Sequence, residues 1–214
     1  MPKTLFATTR HTAAMLLVLC AATALGETPN DATRSSKTSS KMSSKQVGVM
    51  IMSGLPVGAR ATQFEVQDCT GPAAGRRVCY FCRYGRRPTV TLFVRDLNDE
   101  VGALVKGIDE RVRKHRDARL AAFVVLLADN PFEASRRLKR FADQHEIKST
   151  PLTVFSDRPN VLRNEYKISS DAQLTVLMWS EVRVRANHAF GSDAFERADC
   201  PEIWADVDKL VSPR

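Results

Sequence analysis

Residues 88–127 read PTVTLFVRDLNDEVGALVKGIDERVRKHRDARLAAFVVLL, and this stretch decides the fold. Pro88–Val94 is rich in β-branched and aromatic residues and predicts a buried strand. Val101, Leu104, Val105, Ile108 and Val112 then recur at helical spacing, which places one apolar face on a helix from Asp96 to about Lys114. Asp96, Asn98, Asp99 and Glu100 gather at its start, where caps and acids satisfy free backbone N–H groups. Leu120–Leu127 is an unbroken apolar run, the pattern of a central parallel strand covered on both faces. Strand, amphipathic helix and buried strand together make a βαβ unit.

Working outward, Pro131 to His145 predicts a second helix, with Pro131 in its first turn and Phe132, Leu138 and Phe141 among its apolar positions. Leu152–Phe155 reads as a strand and Asn160–Tyr166 as a short helix. Leu174–Trp179 and Val182–Ala186 read as a hairpin turning at Ser180-Glu181, and a last helix runs from Pro201 through Ile203, Trp204, Val207 and Leu210. On the amino-terminal side, Phe64–Val66 is a short strand and Cys69–Gly75 is turn chemistry. Val78–Cys82 reads as a second strand ending at Tyr84-Gly85. The order β-β-β-α-β-α-β-α-β-β-α predicts an α/β domain: a central mixed sheet, helices on both faces and an N-terminal β-hairpin extension.

The chain has 214 residues, with 43% apolar and 26% charged residues, enough for a real core in a soluble domain. Lys3 and Arg10, the apolar run Ala13–Ala22 and the small residues Ala24 and Gly26 make residues 1–26 a cleavable secretory signal. That apolar run is too short to span a bilayer, which takes about 20 residues, so no stable membrane insertion is expected after cleavage. Residues 27–54 are taken as a linker, Ser/Lys-rich and disordered over 27–46, and residues 55–214 as the folded domain. Val47–Met52 is apolar but short, and is expected as a strand or collar packed on the domain. The expected location is periplasmic or secreted, where disulfides persist. The formal charge of +8 falls to about +4 for the domain alone, and no basic stripe interleaved with aromatics is present. Nucleic-acid binding is therefore not expected.

Several strings resemble the thioredoxin-like superfamily, in its peroxiredoxin-type branch of alkyl hydroperoxide reductase and thiol-specific antioxidant proteins. Val57-Gly58 through Phe64–Asp68 resembles the opening of such domains, and Pro88–Val94 the strand leading to their active site. Leu152–Asp157 with Val161–Ile168 resembles their strand, aspartate and short helix, and Leu174–Ala186 their closing hairpin. The resemblance spans about residues 55–211 and implies a thioredoxin-like fold with thiol chemistry. It also implies a reactive cysteine at the start of the helix after the first core strand. Here that position reads Arg95-Asp96-Leu97-Asn98-Asp99-Glu100, with no cysteine and three carboxylates. Like charges there would raise a thiol pKa, so that mechanism does not transfer.

The remaining candidate is Cys79-Tyr80-Phe81-Cys82, a Cys-x-x-Cys pair flanked by Arg76, Arg77, Arg83, Arg86 and Arg87. Cys79 and Cys82 are the expected catalytic residues, exchanging with thiols or disulfides of other exported proteins without a cofactor. If Val78–Cys82 is a regular strand, their Cα atoms lie roughly 10 Å apart at ~3.3 Å per residue. A disulfide needs less than about 7 Å. A structural 79–82 disulfide, a staple from Cys69 to Cys79 or Cys82, a metal site using all three sulfurs, and unpaired thiols remain open. Cys200 is expected near the cap of the last helix, more simply as a buried thiol. Thr150-Pro151 is similar to the Thr-Pro ahead of a thioredoxin strand but fits that placement poorly. His188 reads as a surface residue, His115 and His145 as cations at helix ends, and Trp179 and Trp204 as core anchors.

Overall fold

The computed structural model describes residues 51–158 and 160–212. The signal segment and residues 27–50 of the linker lie outside the described residues. A seven-stranded mixed sheet has the order β2-β1-β5-β4-β3-β6-β7. Its strands are β1 (Val66–Asp68), β2 (Arg77–Val78), β3 (Thr89–Val94), β4 (Ala121–Leu126), β5 (Leu152–Phe155), β6 (Leu174–Ser180) and β7 (Arg183–Phe190). β3 pairs parallel with β4, with Thr91 opposite Phe123, and β4 pairs parallel with β5. β1, β6 and β7 join antiparallel. The helices are α1 (Tyr80–Tyr84), α2 (Asp99–Lys114), α3 (Pro131–Gln144) and α4 (Cys200–Val211).

The alternation along each strand divides the core in two. Val90, Leu92 and Val94 face α2, α3 and α4 together with Val124, Leu126 and Val176. Phe93, Phe123 and Trp179 face the other way, against Tyr80 of α1, Phe64 and the wide helical turn Val161–Glu165 with Tyr166. The expected mixed sheet with helices on both faces is present. α2 starts later than Asp96, because the Asn98 side chain accepts from the Val101 N–H at 2.9 Å and fixes the cap there. Gly107 is required in α2, since a Cβ there would collide with the Trp204 ring of α4. Asp109 is fully buried, and its Oδ1 accepts from the N–H groups of Lys148, Ser149 and Thr150 at 3.2, 2.6 and 2.8 Å.

Two expectations need correction here. Phe132, expected on the apolar face of α3, is 71% exposed in the first turn, with the Arg136 guanidinium 6.0 Å from its ring. The β6–β7 turn is Glu181-Val182 rather than Ser180-Glu181. Both residues have positive φ, 55° and 58°, the pairing that matches strand twist in a two-residue hairpin.

The chain is fixed before Leu55. Ser53 is buried, its hydroxyl 2.7 Å from that of Thr175, and Gly54 N–H donates to the Lys167 carbonyl at 2.9 Å. Ser53 and Gly54, ahead of the expected domain start at residue 55, are thus fixed to the folded domain. Residues 58–61 run along the outer side of β7, with Gly58 N–H on the Val184 carbonyl, Val184 N–H on Ala59 and Ala61 N–H on Val182.

Candidate functional site

The Cys-x-x-Cys stretch is not a strand past Val78. Cys79 caps α1, its Sγ accepting the Cys82 N–H at 3.0 Å. Tyr80 is buried, its ring 5.2 Å from that of Phe123 and its hydroxyl donating to Asp68 Oδ2 at 2.8 Å. Tyr84, one turn on, packs 5.1 Å from Tyr80. Gly85, at φ 61°, closes the helix by donating its N–H to the Phe81 carbonyl at 2.9 Å. Residues three apart on a helical turn are neighbours, unlike residues three apart on a strand. The Cys79 and Cys82 Cα atoms are accordingly 5.2 Å apart and their sulfurs form a disulfide. The aromatic pair at i and i+4 followed by glycine was the sequence signal for this helix.

Cys82 is exposed and Cys79 half-buried. Asp68 holds α1 in place from beneath: it is fully buried, and it also accepts from the Gly71 and Ala73 N–H groups, each at 2.7 Å. Burial first, and then the hydrogen bond to Asp68, push the Tyr80 phenol well above its ordinary range, so it stays a donor. The five arginines are not equivalent. Arg77 pairs with Glu65 at 2.6 Å, and Arg86 pairs with Glu181. Arg87 lies over the Tyr84 ring, 4.9 Å from its centroid. Arg76, Arg83 and Arg87 have no carboxylate partner among the described residues.

Cys69 and Cys200 are free buried thiols on the opposite side of the sheet from Tyr80. Burial pushes both thiols up. The staple from Cys69 to Cys79 or Cys82 is therefore not formed. The three-sulfur metal set is not brought together either, and among the described residues no group of three or more His, Cys, Asp or Glu gathers as a metal site. Thr150-Pro151 leads into the parallel strand β5, while the residues ahead of antiparallel β6 are Asp171-Ala172-Gln173, without proline. His188 is not a free surface residue, since its Nε2 lies 3.0 Å from Asp206 Oδ2. His115 likewise meets Asp208 at 2.8 Å.

At the carboxyl end of β3 the sheet opens into a cleft of about 830 Å³, lined among others by Arg95, Asn98, Glu100, Gln173, Ser192 and Arg197. Open α/β sheets place ligands at such a point, where neighbouring strands leave in opposite directions. No sulfur lines it, and the Arg95 guanidinium is tied to the Ala172 and Ser169 carbonyls at 3.0 and 3.1 Å. The disulfide is elsewhere: Tyr80 and Tyr84 of α1 pack on Phe123, and Phe81 lies 6.1 Å from Trp179, which faces Thr89 at the amino end of β3, the end away from this cleft.

No family model matches the chain, and no curated protein sequence does. Solved structures do. The thioredoxin domain of a thiol-disulfide oxidoreductase from Bacteroides vulgatus superposes with a TM-score of 0.55 at 11% identity, covering 74% of this chain and 99% of that one. Peroxidoxin BcpB from Mycobacterium tuberculosis gives 0.53 at 12%, covering 74% and 99%. The reduced 2-Cys peroxiredoxin of Plasmodium vivax gives 0.53 at 14%, covering 71% and 80%. At these identities the likeness establishes the fold alone, which is thioredoxin-like. In this chain the helix after β3 starts without a cysteine, and the disulfide lies at α1.

Proposed function

We propose that the protein is an exported thiol–disulfide oxidoreductase, periplasmic or secreted, whose exchanging pair is Cys79 and Cys82. The observation that carries this reading is a disulfide between an exposed residue, Cys82, and a half-buried one, Cys79, whose sulfur accepts the Cys82 N–H. A partner thiolate attacks the accessible Cys82 sulfur, forming a mixed disulfide and releasing Cys79 as thiolate. The Cys82 N–H already points at the Cys79 sulfur and supports the leaving charge. A second partner thiolate then attacks the partner's own sulfur in the mixed disulfide. The partner leaves oxidised, Cys82 leaves as thiolate, and two electrons rest on the pair. The same steps in reverse reduce a partner disulfide. The leader-like residues 1–26 support an oxidising compartment.

The test is trapping with a disulfide-linked peptide dimer, one half of which leaves as thiol when a protein thiolate attacks. Cys79→Ser should accumulate a mixed disulfide at Cys82, and Cys82→Ser should trap far less at Cys79. In insulin reduction the wild type should exceed the Cys79→Ser/Cys82→Ser double variant. Equal activity of wild type and double variant ends the proposal. A second reading, a non-catalytic redoxin-fold binding module, is favoured by the absence of sulfur from the cleft at the end of β3. A pair that stays in one redox state across the range of glutathione potentials would select it.

A further inference from the structure

The surface beside the disulfide carries a feature that the exchange step does not use. A second cleft, of about 480 Å³, is lined by Arg86, Arg87 and Arg119 together with Ser180, Glu181 and Ser212. Glu181 is the only carboxylate among its lining residues, and Arg86 already holds it. Arg87 is fixed in place, its Nε donating to the Tyr84 carbonyl at 3.2 Å while its guanidinium lies on the Tyr84 ring. Arg119 has no carboxylate partner among the described residues and is exposed, held on a turn at φ 56°. Arg83, next to Cys82, adds an exposed cation with no carboxylate partner among the described residues. Cys82 and Arg86 are four positions apart, so the Cα of Arg86, which lines the cleft, lies at most about 14 Å from that of Cys82, at ~3.3–3.6 Å per residue. An extended peptide covers the same distance in about four residues.

We propose that this arginine-lined cleft selects the partner, receiving acidic side chains of the segment whose cysteine exchanges with Cys82. The substrate class is a peptide or protein thiol with carboxylates within about four residues of its cysteine. The inference rests on the exchange reaction proposed above. Cationic clefts raise the encounter rate of anionic partners and lose that advantage as salt screens the field.

The experiment compares two peptides with one cysteine each and identical residues on both sides of it. One carries glutamates three to five residues from the cysteine, and the other carries lysines there. The oxidised protein is mixed with each, and release of the Cys79 thiol is followed by stopped flow across a salt series. The acidic peptide should react on the order of tenfold faster at low ionic strength. The two rates should converge near 1 M salt, where the screening length is about 3 Å. Arg86→Ser/Arg119→Ser should lose most of the preference while leaving the rate with the lysine peptide nearly unchanged or higher. The wild-type salt series stands alone if that variant does not fold. Equal, salt-insensitive rates for the two peptides overturn this inference and leave the exchange reaction standing. No reaction with either peptide overturns both.

Discussion

The bond between Tyr80 and Asp68 is what fixes the disulfide-bearing helix to the sheet, and its strength can be worked out and measured. The Tyr80 hydroxyl donates to a fully buried carboxylate at 2.8 Å. Hydrogen bonds to charged groups contribute about 1.5–3 kcal/mol. Tyr80→Phe keeps the ring against Phe123 and Tyr84 and removes only that donor, so it should cost about that amount. Asp68→Ala strips the acceptor from Tyr80 and from the Gly71 and Ala73 N–H groups as well. At about 1–3 kcal/mol for each of the three donors left without an acceptor, it should cost at least about 3 kcal/mol. In the double variant the hydroxyl loss is already counted, so the cycle should show a coupling of about 1.5–3 kcal/mol. Urea unfolding of the four proteins with the disulfide intact measures it. Tyr80→Phe should also speed reduction of Cys79–Cys82 by dithiothreitol, because α1 loses its anchor. A coupling below about 0.5 kcal/mol, within the error of additivity, would refute the claim that this bond holds the site.

In a chain beginning at Glu27, thiol labelling after mild reduction should modify Cys79 and Cys82 in the native protein and reach Cys69 and Cys200 only on unfolding, since both are buried with raised pKa. Fast native labelling at Cys69 would contradict the packing. All three tyrosines of the chain, Tyr80, Tyr84 and Tyr166, have phenols raised by burial. A raised folded-state pKa gives stability that is whole below the ordinary value of about 10 and is lost as pH rises beyond it. Phenolate absorbance should therefore appear together with loss of circular dichroism above pH ~10, and a smooth titration centred near 10 in folded protein would contradict this. Gly107→Ala should destabilise by roughly 1–3 kcal/mol, because the new methyl collides with Trp204, and unchanged thermal stability would show that α4 is free to shift.

The central β3-α2-β4 unit was readable because its periods are long and uninterrupted: sixteen residues of α2 repeat one apolar face. α1 was harder to read, because a helix of five residues spans less than two turns and its one local mark is a single i,i+4 tyrosine pair followed by glycine. Val78, Tyr80 and Phe81 favour strands locally, and contacts from Asp68 and Phe123, distant in sequence, overrode that preference. The same short helix decided the candidate site. The two cysteines and the missing thiol at the start of α2 were visible in the residues alone. Whether the sulfurs meet depended on a cap and a buried tyrosine. Phe132 is exposed in the first turn of α3, although its spacing with Leu138 and Phe141 suggests a buried face.

The stretch at residues 58–61 alongside β7 has a bearing on how the protein behaves in a crowd. Open sheet margins invite other chains to add a strand, which is a common start of aggregation. One margin here, β2, is only two residues long, and the other has its first residues occupied by the chain's own amino-terminal segment. That segment works as a built-in guard. Trimming it away should uncover amide and carbonyl groups at the start of β7 and raise the tendency of the sheet margin to accept a strand from another chain.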